Sequence, residues 1–142
     1  MGAPVILCGR TERIGEGVIA LLKPEFEVIH FILSPEAGSV EIPAIFRGEQ
    51  PPPPSRTALG SKDYSQPPVA VILGGGYDDA DIELLMKAAA GIKSIPWLRP
   101  DTTKPAPPLG PEYGKALVAR IKELVPQLEK EGKMEEETVH WY

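Results

Sequence analysis

Val5-Ile6-Leu7-Cys8-Gly9-Arg10-Thr11-Glu12-Arg13-Ile14-Gly15 is the stretch whose reading decides the fold. Val5–Cys8 is a continuous apolar run with β-branched residues and no alternation, the pattern of a strand buried on both faces of a parallel sheet. The chain then turns polar between Gly9 and Gly15. From Ile14 the apolar positions move to helical spacing, Ile14, Val18, Leu21 and Leu22, and Lys23-Pro24 closes the helix because proline cannot continue the hydrogen-bond ladder. A buried strand thus breaks through a glycine-bounded turn directly into a helix.

Outward from this unit, Phe26–Leu33 reads as a second strand. Its arrival after one helix makes a βαβ crossover, which is right-handed in nearly all folds and makes the sheet parallel. Ser34-Pro35-Glu36 has the form of a serine-capped helix start, but Gly38 and Pro43 predict a short or broken helix, one or two turns around Pro43–Phe46. Residues 48–68 carry the Pro51–Pro54 run and few apolar anchors, Leu59 and Tyr64, and read as a long exposed excursion. Val69–Leu73 is the cleanest strand. It is followed by the turn Gly74-Gly75-Gly76-Tyr77 and a helix with Ile82, Leu85, Met86 and Ala89 on one face, capped by Asp78 and Asp81 and ended by Gly91. Lys93–Leu98 reads as a short fourth strand that belongs at an edge or ends early, because Pro96 has no amide to give a ladder. Gly110-Pro111-Glu112 opens the last helix, with Leu117, Ile121, Leu124, Val125 and Leu128 on its stripe and Pro126 as a kink. The tail, Val139-His140-Trp141-Tyr142, carries two aromatics expected to dock on this chain or on a second copy.

The chain has 142 residues, 42% hydrophobic and 25% charged, values that fit one domain spanning 1–142, with the excursion at 48–68 and a C-terminal helix and tail at 111–142. Its 17 prolines cluster in loops. A net charge of −5 without a dense basic patch argues against nucleic acid as a partner. The single cysteine excludes an intrachain disulfide and a multi-cysteine zinc site and fits a reducing compartment, so cytoplasm is the expected location. The first residues lead straight into a strand, and neither a signal peptide nor a membrane span is expected.

The order of elements predicts an α/β fold: a three-layer Rossmann-like or flavodoxin-like sandwich around an open parallel sheet of about four strands, in the order 2-1-3-4. In such sheets ligands bind outside the carboxyl ends of the strands where the chain reverses direction. The loops that meet there are Gly9–Arg13 and Gly74–Tyr77. The first opens a helix whose early amides lack partners and attract phosphate or carboxylate, and Arg10 and Arg13 add charge.

Cys8-Gly9-Arg10-Thr11-Glu12-Arg13-Ile14-Gly15 resembles the Thr-Gly-x-x-x-Gly-Ile-Gly turn of short-chain dehydrogenases and related NAD(P)-binding Rossmann proteins. The resemblance implies that Gly9 permits the tight turn, that Ile14 and Gly15 support the helix start and that Arg10 lies where a 2′-phosphate is met. It places the ribose-reading group at Ser34, which is neutral, and so favours NADP over NAD as cofactor. Cys8 stands where that family has threonine, and Arg13 where it has the middle glycine that lets the backbone approach a pyrophosphate. No Tyr-x-x-x-Lys pair follows any of the four tyrosines.

The cofactor-binding set read from the sequence is therefore Gly9, Arg10, Thr11, Arg13, Ile14, Gly15, Ser34, Gly74, Gly75, Gly76 and Tyr77. No catalytic residue and no metal ligand is assigned. Cys8 lacks the arginine six positions on that a phosphatase loop requires and reads as a buried thiol. Asp78, Asp79 and Asp81 read as helix-capping residues rather than a magnesium site, and His30 as a core or edge histidine. Arg99, after the fourth strand, either contacts an anion or covers the edge. The expectation is a binder of a small anionic molecule, NADP or another nucleotide, without catalysis of its own. The sequence leaves two alternatives open: a small enzyme using Arg10, Arg13, Arg99 or Cys8 on a phosphorylated or carboxylated metabolite, and a ligand-free module that forms a homo-oligomer through the edge strand or tail.

Overall fold

The apolar run at the start forms β1 (Ala3–Cys8), and Val5, Ile6 and Cys8 are fully buried in it. The structure, a computed structural model, describes residues 2–51, 59–108 and 111–142. Around β1 stand α1 (Glu12–Leu22), β2 (Phe26–Ile32), α2 (Pro35–Phe46), β3 (Ala70–Leu73), α3 (Asp79–Ala88), β4 (Trp97–Arg99), α4 (Pro111–Lys130) and β5 (Val139–Trp141). All five strands pair in parallel in the order β2-β1-β3-β4-β5. This is an α/β Rossmann-like or flavodoxin-like sandwich with the predicted 2-1-3-4 core, extended by one strand.

α1 packs against α4, and α2 against α3. The sheet separates two apolar cores. Val5, Leu7, Val28, Phe31, Ile72 and the stripe Leu117, Ile121, Val125 and Leu128 fill the core with α1 and α4. Ile6, Cys8, Ile29, Ile32, Leu73, Leu85 and Trp97 fill the other. The pairing of β1 with β2 slips between Val5 and Ile6, so that Val5 faces Val28 and Ile6 faces His30. One extra residue in a strand with period 2 reverses the faces that follow it. That slip puts Phe31 on the α1 and α4 side together with Val28.

Two expectations are corrected. α2 is neither short nor broken: Gly38 and Pro43 lie inside a continuous helix of 12 residues. The reason is packing, because a Cβ on Gly38 would stand 2.6 Å from a Leu85 methyl, so glycine is what lets α2 approach α3. β4 is not an edge strand. It begins just past Pro96 and pairs with β5, formed by the tail. Helix α4 includes Pro126 within its 20 residues. The described part of the 48–68 excursion is largely exposed, and the amides of Ser61 and Lys62 donate to the Val28 and Ile29 carbonyls, 2.8 Å each, covering the outer edge of β2. Pro52–Pro54 and Gly110, the predicted helix opener, lie outside the described residues. Among those residues no helix is long and apolar enough to cross a membrane.

Candidate functional site

Parallel strands end at the same side of the sheet, so the turns after β1 and β3 come together. The Gly74 amide donates to the Cys8 carbonyl at 2.8 Å, joining the two turns through their backbones. Arg10 completes the junction. Its Nε donates to the Gly76 carbonyl and its Nη2 to Asp81, both at 2.9 Å, and its guanidinium lies 4.9 Å from the centre of the Tyr77 ring. A Cβ on Gly76 would meet the Arg10 side chain at 2.5 Å, which explains glycine there. Arg10 is thus a clamp between turns, its charge spent on Asp81.

Beneath the turns lies a cavity of about 450 Å³, enclosed by β1, β3, α1, α4 and the C-terminus. Its floor is apolar: Leu7 and Ile72 from the sheet, Phe31 from β2, and Leu117 and Ile121 from α4. Gly9, Arg10, Thr11, Ile14, Gly15, Gly74, Gly75 and Gly76 form the side nearest the turns. Polar groups come from Thr102, Tyr113 and Tyr142. The Tyr142 hydroxyl donates to the Leu73 carbonyl, and burial pushes its pKa far up, so it stays neutral. Tyr113 carries a hydroxyl with no hydrogen-bond partner among the described residues, and so do the backbone amides of Gly75 and Gly76. These are the groups left to meet a ligand.

Eight of the eleven residues read from the sequence line this cavity. Thr11 caps α1, its Oγ1 accepting from the Ile14 amide at 3.4 Å. Gly15 is buried because a Cβ there would fall 2.5 Å from the Phe31 ring. The other three lie elsewhere. Arg13 is exposed and does not line the cavity, so it neither fills the space nor faces it. Ser34 caps α2, its Oγ accepting from the Ala37 amide at 3.1 Å. The Tyr77 side chain turns to the opposite core, where its hydroxyl donates to the Gly9 and Ile32 carbonyls at 3.1 and 3.2 Å and where burial raises its pKa.

Cys8 contributes to the cavity wall but belongs to the core beside α2 and α3. Burial, and then the charge of Glu41, push its thiol far above the usual 9.0. It is a neutral packing group, in no state to act as a nucleophile. Asp78 and Asp81 form a reciprocal capping box at α3, and no cluster of metal-ligand type occurs among the described residues. Arg99 is not in the cavity. It pairs with Asp79 at 2.9 Å and stacks 4.5 Å from the Trp141 ring, covering the edge. His30, fully buried, bonds Glu41 through Nε2 at 2.5 Å and Tyr64 through Nδ1 at 2.7 Å.

Sequence reasoning missed the α4 side of the cavity, above all Tyr113, together with Thr102 and Tyr142. The signal for Tyr113 was present: it stands one turn before Leu117 on the stripe that packs towards the sheet.

No family model matches the chain, and no solved structure matches it. A curated relative does: the chain is 38% identical over 144 residues to Kojic acid related protein 6 of Aspergillus oryzae, covering 99% of this chain and 86% of that protein. The chain belongs to the family of Kojic acid related protein 6.

Proposed function

We propose that the protein binds a small anionic molecule carrying a flat ring, of nucleotide type, in the cavity beneath its two glycine turns, and that it does so without catalysis of its own. The observation that carries this reading is the cavity itself. Its about 450 Å³ lies within the range of small-molecule sites, with an apolar floor and a few unsatisfied polar groups at the rim. The floor suits a ring, while the free amides of Gly75 and Gly76 and the Tyr113 hydroxyl suit oxygen atoms at its margin.

NADP is the form of this reading that rests on the glycine turn. The geometry favours a smaller, mononucleotide-sized ligand, because Arg10 is bonded to Gly76 and Asp81 instead of being free for a 2′-phosphate, and Ser34 is occupied as a cap. Nothing in the cavity resembles a nucleophile with its base, which is why catalysis is left out. Calorimetric titration with NADPH, NADH, ATP and FMN tests the reading. Kojic acid joins the panel because the relative's name ties that protein to it. Binding of a ring-bearing anion is expected; silence for every compound with a folded sample would sink it.

A second reading, association of two copies through the β5 edge, has its own observation: Trp141 stands 50% exposed on the outermost strand. Sedimentation of the wild-type protein and of Trp141→Ser tests it. A monomer at every concentration in the wild type would remove it.

A further inference from the structure

We infer that the anionic group of the ligand is held not at the α1 N-terminus but in a second chamber beyond Tyr113, where Lys104 and Arg120 form a site for a phosphate monoester. The inference rests on the cavity being a ligand site. This outer chamber, about 190 Å³, is lined by Asp101, Thr102, Lys104, Tyr113, Leu117 and Arg120 among others. Thr102, Tyr113 and Leu117 are common to both chambers, so the two adjoin along one wall.

Helix α4 explains why they adjoin. Tyr113, Leu117 and Arg120 follow one another at helical spacing, so one face of the helix presents a phenol, an aliphatic group and a guanidinium in sequence. Arg120 is half-buried, and its Nη2 donates to the Pro105 carbonyl, which fixes the guanidinium over the 101–106 loop. Lys104 stands on that loop, and neither cation has an ion pair among the described residues. Asp101 does line the chamber, but its Oδ1 accepts from the Thr103 amide and hydroxyl. These hydrogen bonds, and after them the charges of Lys104 and Arg120, hold its carboxyl below the usual 3.8. The chamber therefore keeps one positive charge in excess, with the Thr102 and Tyr113 hydroxyls at its inner margin.

The α1 turn offers less. Arg10 is paired with Asp81, Glu12 adds a negative charge in the first turn, Thr11 accepts from the Ile14 amide, and Arg13 does not line the cavity. A ring in the inner chamber with its phosphate across the rim at Thr102 uses both the apolar floor and the excess positive charge of Lys104 and Arg120. Such a ligand is a ring-bearing phosphate monoester.

Matched pairs test this: FMN against riboflavin by flavin fluorescence, and AMP against adenosine by calorimetry. In the wild-type protein the phosphorylated member of a pair is expected to bind roughly tenfold more tightly, the worth of one charge-assisted contact set. In Lys104→Gln/Arg120→Gln, checked for an unchanged melting temperature, that advantage should fall to near unity while riboflavin or adenosine keeps its affinity. A phosphate advantage that survives the double substitution would put the anion at the turn and overturn the inference. Equal wild-type affinities within both pairs would also overturn it while leaving the cavity as a ring site. If no member of either pair binds, the cavity reading fails and takes the inference with it.

Discussion

Glycine carries two different meanings on one helix. In α1, Gly15 and Gly17 are two positions apart and therefore on different faces. A Cβ at Gly17 meets nothing within 4 Å, whereas one at Gly15 falls 2.5 Å from the buried Phe31 ring. Gly17→Ala is expected to stabilise the protein by roughly 0.5–1 kcal/mol, since alanine is the better helix former and no contact is disturbed. Gly15→Ala gains the same propensity but must displace the ring. The free direction is into the cavity, so the expected net loss is modest, about 1–2 kcal/mol of overpacking, and the larger effect is on the cavity. Chemical denaturation of both variants and titration of the ligands named above check this. If Gly15→Ala bound as the wild type does, Phe31 would not be the floor of the site. Gly9, Gly15 and Gly74–Gly76 were readable in advance as turn and helix-start residues, whereas the Phe31 ring that Gly15 accommodates was not. Only the structure says that Arg13, two residues before Gly15, is exposed and does not line the cavity.

At the scale of elements, what was legible followed from local pattern and what was not depended on distant partners. β1, α1, β2, β3 and α3 are segments whose periodicity and caps agree, down to the Asp78–Asp81 box. α2 was misread because Gly38 and Pro43 are poor helix formers in isolation, and the contact with Leu85 that makes Gly38 useful is invisible in one sequence. The Pro126 position in α4 is tolerated for a similar reason, as Val125 and Leu128 on either side are buried in the core. β5 was read as a docking tail because three residues, though Val139 and Trp141 favour strands, are too few to show a strand period; its pairing is made by β4, earlier in the chain. Tyr142 fixes it from the end, its hydroxyl donating to the Leu73 carbonyl and its amide to the Arg99 carbonyl at 2.8 Å. Tyr142→Phe keeps the ring and removes only the first bond, leaving a buried carbonyl without its donor. An expected cost of about 1–2 kcal/mol follows, read from the shift in urea midpoint. Removal of residues 139–142 should do far more, exposing the edge at Trp97 and Leu98 and promoting association. A Phe variant as stable as the wild type would mean that this bond contributes nothing beyond the packing of the ring.

The whole molecule buries several weak acids in neutral form, and this makes its stability depend on pH in a definite direction. Cys8 ends the inner strand β1, fully buried, its thiol pushed far above the usual 9.0 by burial and then by Glu41. Tyr77 and Tyr142 are raised well above the usual 10.0, each by burial first. For a group whose folded pKa is raised, the folded state holds the proton longer than the unfolded chain does. Stability is then intact below the unfolded pKa and is lost as pH climbs from that value towards the folded one. Cys8 should therefore open the alkaline limb just above pH 9, with a slope approaching about 1.4 kcal/mol per pH unit for one group, and the two tyrosines should steepen it above pH 10. Denaturation midpoints measured from pH 7 to 11 show whether this holds. Cys8→Ala should flatten the interval between 9 and 10 and leave the steeper region above it. The same burial governs reactivity, because only the thiolate attacks an alkylating agent. Iodoacetamide should label Cys8 slowly at neutral pH, at the rate at which the sheet opens, and rapidly in denaturant. Rapid labelling of the folded protein would show an accessible thiolate, contradict the alkaline limb assigned to Cys8 and return that residue to the list of candidate nucleophiles.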